Sequence, residues 1–327
     1  MAEERIALRT HPHDMDITSM PMADGWPVRI FNYQSINYLA GAAAGEVRSP
    51  RGSLLFISGL GEFFEKYLCA INQWHQSGWN ISGFDWRGQG DSGRLLANPR
   101  IGHIDDYAVF VDDLTRIIDH WQRNSPPPYV LVTHSMGGHI TLRALAEQRI
   151  RVDAVAMSAP MLGFPTGPLP ESWAARIAET LCHMGLARHA AWRRAERPLM
   201  PWLNRAQLLT HDADRYADEQ DWIARQPNLE LGPPSWGWLR AAFRSLAILH
   251  RPGMLERIDT PLLMMMAGSD RLVANRATQA AAIRLAHART LMIDGAFHEL
   301  LREADQYRDQ AMNAIDAFLD DVAPRPA

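Results

Sequence analysis

The chain has 327 residues, 47% of them hydrophobic and 21% charged, which is enough for one large α/β core plus an insertion. Its net charge of −4 argues against a general nucleic-acid binder, and two cysteines, Cys69 and Cys182, are too few for a disulfide framework. No Cys-x-x-Cys or clustered-histidine spacing suggests a metal site, and no apolar run approaches membrane-spanning length.

The start, Met1-Ala2-Glu3-Glu4-Arg5, lacks the basic opening and apolar core of a secretory signal, so the expected setting is cytoplasmic, with contact to a membrane from one side as a further expectation. His11 and His13 have no matching partners nearby and read as part of a solvated tail. Strand-like pieces follow around Gly25–Phe31 and near Ser53, Asn80, Tyr129 and Val152, with helical segments between them. Helical spacing is clear from Asp106 to Trp121, through Phe110, Leu114, Ile117 and Ile118. From about Met161 to His250 the chain is rich in proline and tryptophan, with helix-like pieces and no convincing strand. Pro261–Ala267 restarts the core as a buried strand, and Thr290–Ile293 is a shorter one. The organisation expected is a first core part over 1–160, a helical cap over 161–250 and a second core part over 251–327. No internal repeat is present. Lys66 is the only lysine, a bias toward arginine that by itself says little about function.

Chemistry enters at Tyr129-Val130-Leu131-Val132-Thr133-His134-Ser135-Met136-Gly137-Gly138, where a β-branched run stops at a serine. This reads as a nucleophile elbow, a strained strand-to-helix turn that projects the hydroxyl into a cleft. Thr133 stands where the usual pattern has its first glycine. The competing reading is a helix merely capped by Ser135. A serine hydroxyl needs a histidine to take its proton, and the histidine needs a carboxylate to orient it. Asp270 ends the strand-like run 261–267 through Gly268-Ser269-Asp270-Arg271, and His298 follows the next run through Asp294-Gly295-Ala296-Phe297. Either residue alone has a plain reading, a helix cap or an ordinary histidine. Serine, acid and histidine in that order, each just past a strand, favour catalysis. Gly59-Leu60-Gly61-Glu62 follows the strand Ser53–Ser58 and offers the Leu60 N–H as an oxyanion donor beside that of Met136, although the same residues would also make an ordinary turn.

Gly88-Gln89-Gly90-Asp91-Ser92-Gly93 spells G-x-G-x-x-G after a strand-like segment. A dinucleotide site requires a helix to open there, whereas Arg94–Pro99 reaches a proline within two turns. The segment is therefore read as a structural loop beside the site, and no cofactor is expected.

The phrases Ser58–Glu62, Asp85–Gly93, Gly102–Asp105, His134–Gly138, Gly268–Arg271 and His298-Glu299 resemble the α/β-hydrolase branch of bacterial lysophospholipases and monoacylglycerol lipases. The resemblance spans nearly the whole chain. It departs from the pattern at Ser58, where histidine is common, and at Thr133. The fold it implies is a mostly parallel sheet flanked by helices, with a mainly helical cap before the late strands. The chemistry it implies is ester hydrolysis by Ser135, His298 and Asp270 through an acyl-enzyme, on a lysophospholipid or monoacylglycerol, with neither cofactor nor metal.

Six of the eleven tryptophans, Trp173, Trp192, Trp202, Trp222, Trp236 and Trp238, fall in the expected cap together with Met161, Leu162, Met184, Met200 and Leu203. They read either as shelter for an acyl chain or as the core of a small helical subdomain. Arg188, Arg193, Arg194 and Arg197 read as a solvated face, with an anionic head group as the alternative. Gly232-Pro233-Pro234-Ser235-Trp236-Gly237-Trp238 resembles a lysophospholipase cap phrase. A serine aminopeptidase or amidase is the main alternative and would need an acidic pocket, for which Glu171, Glu179 and Glu219 are candidates. A binding protein that merely keeps the fold is the non-enzymatic alternative.

Overall fold

The computed structural model describes residues 9–34, 50–167, 170–192 and 205–324. Met1–Arg5, Arg193, Arg194, Arg197, Met200, Trp202 and Leu203 lie outside these residues. The described residues form an eight-stranded sheet in the order β1-β2-β4-β3-β5-β6-β7-β8. β1 (Met15–Pro21) and β2 (Pro27–Tyr33) are an antiparallel hairpin on one edge, and β2 runs antiparallel to β4 (Trp79–Phe84). β3 (Gly52–Ile57), β4, β5 (Tyr129–His134), β6 (Ala154–Ser158), β7 (Leu262–Ala267) and β8 (Ala288–Ile293) are mutually parallel. This is the mostly parallel sheet expected from the sequence. β1 is an addition, because its side chains alternate only weakly between covered and exposed. The Asp24-Gly25 turn that closes the hairpin, with Gly25 at φ +82°, is the local signal for it.

Helices cover both faces, which explains why the central strands are apolar on successive residues. Leu55, Ile57, Leu131, Val155, Met157 and Met264 point to one face, against α2 (Ala108–Arg123) and α3 (Met136–Ala146). Leu54, Phe56, Val130, Val132, Ala156 and Met265 point to the other, against α1 (Leu68–Gln76) and the C-terminal helix, Asp305–Val322. The spacing noted in α2 is realised, since Phe110, Leu114, Ile117 and Ile118 are all buried.

Between β6 and β7 the described residues contain helices and turns but no strand. They are α4 (Glu171–Leu181), the single turn α5 (Ala206–Leu209), α6 (Ala213–Arg225) and α7 (Trp236–Leu249). α7 packs against both α4 and α3, which seats the insertion on the sheet's helical layer. α8 (Asn275–Ile283) joins β7 to β8, and α9 is Asp305–Val322. β3, β5, β7 and β8 all end at the same edge of the sheet, and the insertion lies over that edge.

Candidate active site

Ser135 sits between β5 and α3 at φ +50°, ψ −115°, a backbone region that a residue with a Cβ adopts only when its surroundings enforce it. The enforcement is visible. The Ser135 N–H donates to Ser158 O at 3.0 Å, and Ser135 O accepts from the Met161 N–H at 2.9 Å. A Cβ on Gly137 would lie 2.6 Å from Ser58 O, so glycine is required for α3 to approach β3. Thr133, in place of the elbow's usual glycine, is fully buried within β5 and leaves the turn intact.

The turn after β7 carries Asp270 and the turn after β8 carries His298. The two turns are tied by Gly268 N–H to Ile293 O at 2.8 Å and Ser269 N–H to Ala296 O at 2.9 Å. His298 Nδ1 is 2.7 Å from Asp270 Oδ2, and His298 Nε2 is 3.1 Å from Ser135 Oγ. An ionised carboxylate can only accept, so Nδ1–H donates to Asp270 and Nε2 is left to accept the serine proton. Asp270 also takes the N–H groups of Leu272 and Val273 at 2.8 and 3.0 Å; burial works to raise its pKa, but the charge and hydrogen bond of His298, helped by these two N–H groups, hold its carboxyl below the usual range. Burial opposes charge on His298, but Asp270 and more distant glutamates outweigh it and raise its pKa above 6.5. His134, next to the serine, has the opposite balance. Its ring is buried and its pKa is driven down to about 4, so it stays neutral beside His298.

The three residues singled out in the sequence are thus brought into one hydrogen-bonded line, with His298 between Asp270 and Ser135. Leu60 lines the same cleft, and Met136 is buried at the first turn of α3. Neither the Leu60 nor the Met136 N–H has an acceptor among the described residues. The cleft, of about 410 Å³, has Ser135 and His298 on its floor and Met161, Phe164, Ile177, Trp236 and Phe243 among its walls. That volume lies within the range of small-molecule sites.

The tryptophans divide among both roles left open by the sequence. Trp222 is core, Trp192 and Trp236 line the cleft, Trp238 serves both, and Trp173 is 56% exposed. Arg188 is exposed, as a solvated face requires. The Gly88–Gly93 loop runs on through turns and bends to Tyr107 with no helix opening. His11 is a correction: it is not in a solvated tail, because its Nε2 lies 2.9 Å from Glu65 Oε1 and its ring packs 4.9 Å from that of Trp222. His13 is fully exposed.

Sequence reasoning missed the charged groups beneath the site. Lys66, fully buried, contacts Glu62, Glu219 and Glu299 at 3.3, 3.2 and 2.8 Å, and Arg302 pairs with Glu219 and Glu299. The only local hints were a solitary lysine and a glutamate directly after His298.

The family model described as serine aminopeptidase, S33, matches residues 48–305. Lysophospholipase L2 of Escherichia coli strain K12 is 32% identical over 276 residues, covering 79% of this chain and 77% of that protein. Phospholipase YtpA of Bacillus subtilis is 26% identical over 83% of this chain and 96% of its own length. Among solved structures, a soluble variant of monoglyceride lipase from Saccharomyces cerevisiae in complex with a substrate analog superposes with a TM-score of 0.72 at 17% identity. It covers 96% of this chain and 98% of that one. The strand order, the match over most of the chain and the similarity to lysophospholipase L2 lead to one conclusion: this chain belongs to the serine aminopeptidase S33 family of α/β-hydrolases, in its lysophospholipase and monoacylglycerol lipase branch.

Proposed function

We propose that the chain is a serine carboxylic-ester hydrolase that removes a single acyl chain from a lysophospholipid or monoacylglycerol. The observation that carries this reading is the line Asp270–His298–Ser135, at 2.7 and 3.1 Å, opening on an apolar cleft. In this reading Ser135 Oγ attacks the ester carbonyl while His298 Nε2 takes its proton, and the Leu60 and Met136 N–H groups receive the carbonyl oxygen as it becomes an oxyanion. His298 then gives the proton to the departing alcohol, leaving the acyl group on Ser135. Water, activated by the same histidine, releases the fatty acid. Residues 161–250 act as the cap between core parts 1–160 and 251–327, and the cytoplasmic setting expected from the sequence stays part of the proposal.

The aminopeptidase alternative needs a carboxylate free to hold an amine. Glu219 is enclosed by Lys66, Arg205 and Arg302, and Glu179 pairs with Arg244. Glu171 accepts from the Phe164 N–H and is not in the cleft lining. Glu62 and Glu299 do line the cleft, but Lys66 and Arg302 already engage them. The apolar walls therefore favour an acyl chain over a peptide N-terminus.

The test is turnover of lysophosphatidylcholine, monoacylglycerol, a short-chain aryl ester and an aminoacyl anilide, with Ser135→Ala as control. The long-chain lipids should be preferred, and Ser135→Ala should lose roughly 10⁵-fold in kcat while staying folded. Preference for the anilide, or an active Ser135→Ala protein, would overturn the proposal.

A further inference from the structure

An oxyanion donor borne by a glycine-flanked loop has no side chain that aims it, so its direction must be imposed from outside. Gly59-Leu60-Gly61 is such a loop, and Gly61 sits at φ +70°. Both amides flanking Leu60 are held by buried side chains. The Gly59 N–H donates to Glu62 Oε2 at 2.5 Å, and the Gly61 N–H donates to Gln89 Oε1 at 2.5 Å. Between them the Leu60 N–H has no acceptor among the described residues.

Each clamp is itself held. The other Glu62 oxygen accepts from Tyr67 O–H at 2.6 Å and from Lys66 Nζ at 3.3 Å. Gln89 belongs to the Asp85–Gly93 loop, the segment whose glycine pattern the chemistry left unexplained. Asp85 anchors that loop by accepting from the Asp91 N–H at 2.9 Å and reaches across to the Phe64 N–H at 3.2 Å. Gly90 is obligatory there, because a Cβ would fall 2.1 Å from Asp85 Oδ2. Trp86, from the same loop, donates its indole N–H to Ser58 O at 2.8 Å, pinning the residue that leads into Gly59.

We propose that Glu62 and Gln89 are positioning residues that pre-aim the Leu60 N–H at the developing oxyanion, and that the Asp85–Gly93 loop is the brace that delivers Gln89. The inference rests on the ester-hydrolase reading and on Leu60 as donor within it. A donor displaced by a fraction of an ångström stabilises the transition state less while leaving acyl-chain binding alone, so the cost falls on kcat.

Gln89 is the cleaner position to test, since its removal unbalances no charge. Gln89→Met keeps the shape but removes the acceptor. Its kcat on a long-chain ester should fall about 10- to 100-fold with KM within about twofold, and Gln89→Glu, which restores an acceptor oxygen, should recover most of the loss. A long-chain alkyl trifluoromethyl ketone, whose adduct with serine carries an oxyanion, should lose inhibitory potency by the same factor as kcat/KM. A merely structural role would not link those two quantities. If Gln89→Met fails to fold, Gln89→Asn withdraws the amide by one methylene and should shift kcat and ketone potency in the same direction. Wild-type kcat in Gln89→Met or Gln89→Asn, or unchanged ketone potency beside a lowered kcat, would overturn the proposal. An inactive Ser135→Ala beside a fully active Gln89→Met would sink the brace alone, whereas an active Ser135→Ala would sink the ester-hydrolase reading itself.

Discussion

His298 carries two opposite pH dependences. As a general base it must be neutral, and the Asp270 carboxylate, prevailing over burial, raises its pKa above 6.5. Activity should therefore fall as pH drops through a value above 6.5, read as the acidic limb of kcat/KM against pH. The same raised pKa stabilises the fold below the unfolded value and loses that contribution as pH rises through the folded one, so the active form is the less stabilised form. Asp270→Asn removes the charge that raises the pKa and the acceptor that orients the ring. The acidic limb should move to lower pH and kcat should fall roughly 10⁴-fold, which a pH-rate profile of both proteins would check. An unmoved limb would mean that another group titrates.

At the scale of elements, the insertion between β6 and β7 presents α4 and the turn after it to solvent with Trp173, Ile177 and Met184 exposed at 56%, 46% and 69%. Ile177 also lines the cleft, so this apolar surface is continuous with the cleft's mouth. In the ester-hydrolase proposal it is the surface that meets lipid, where an aromatic ring and flexible apolar side chains suit the interface. Trp173→Ser combined with Met184→Ser should lower turnover of monoacylglycerol in phospholipid vesicles severalfold and leave a soluble short-chain ester unaffected. Equal losses on both substrates would count against interfacial contact. The sequence marked this stretch as tryptophan-rich and strand-free. It could not sort Trp222 into the core, Trp236 into the cleft and Trp173 onto the surface, because the helices are short and each faces two environments.

Across the whole molecule, a buried ionic cluster joins three distant parts of the chain. Lys66 comes from the turn after β3, Glu219 from α6 in the insertion, and Glu299 and Arg302 from the segment after β8. The insertion thereby makes contact with the segment that holds His298. Lys66→Met would leave the three glutamates around Lys66 with fewer cations and should cost about 3–5 kcal/mol in urea unfolding. Arg149→Ala, which breaks an exposed pair with Asp112, should cost about 1 kcal/mol or less. Comparable losses for the two would mean that the Lys66 cluster is solvated.

Much of the fold and the site was legible because its determinants are local. The β-branched run ending at Ser135, the apolar run ending at Asp270 and the helical period of α2 are short-range patterns, and the order serine, acid, histidine is a property of the chain. The strained turn at Ser135 is local in part, since only glycine at position 137 admits the approach of α3 to Ser58 O. What only the tertiary structure decided were the convergences. Ser135 and His298 are 163 positions apart in sequence, and their 3.1 Å separation exists because β5 and β8 run parallel, with their carboxyl ends on the same side of the sheet. The enclosure of Lys66 by three glutamates, the joining of His11 to Glu65 and the clamp of Gln89 on Gly61 have the same origin. Such pairings depend on which surfaces sheet packing brings face to face, and no local period in the sequence encodes a partner so far along the chain.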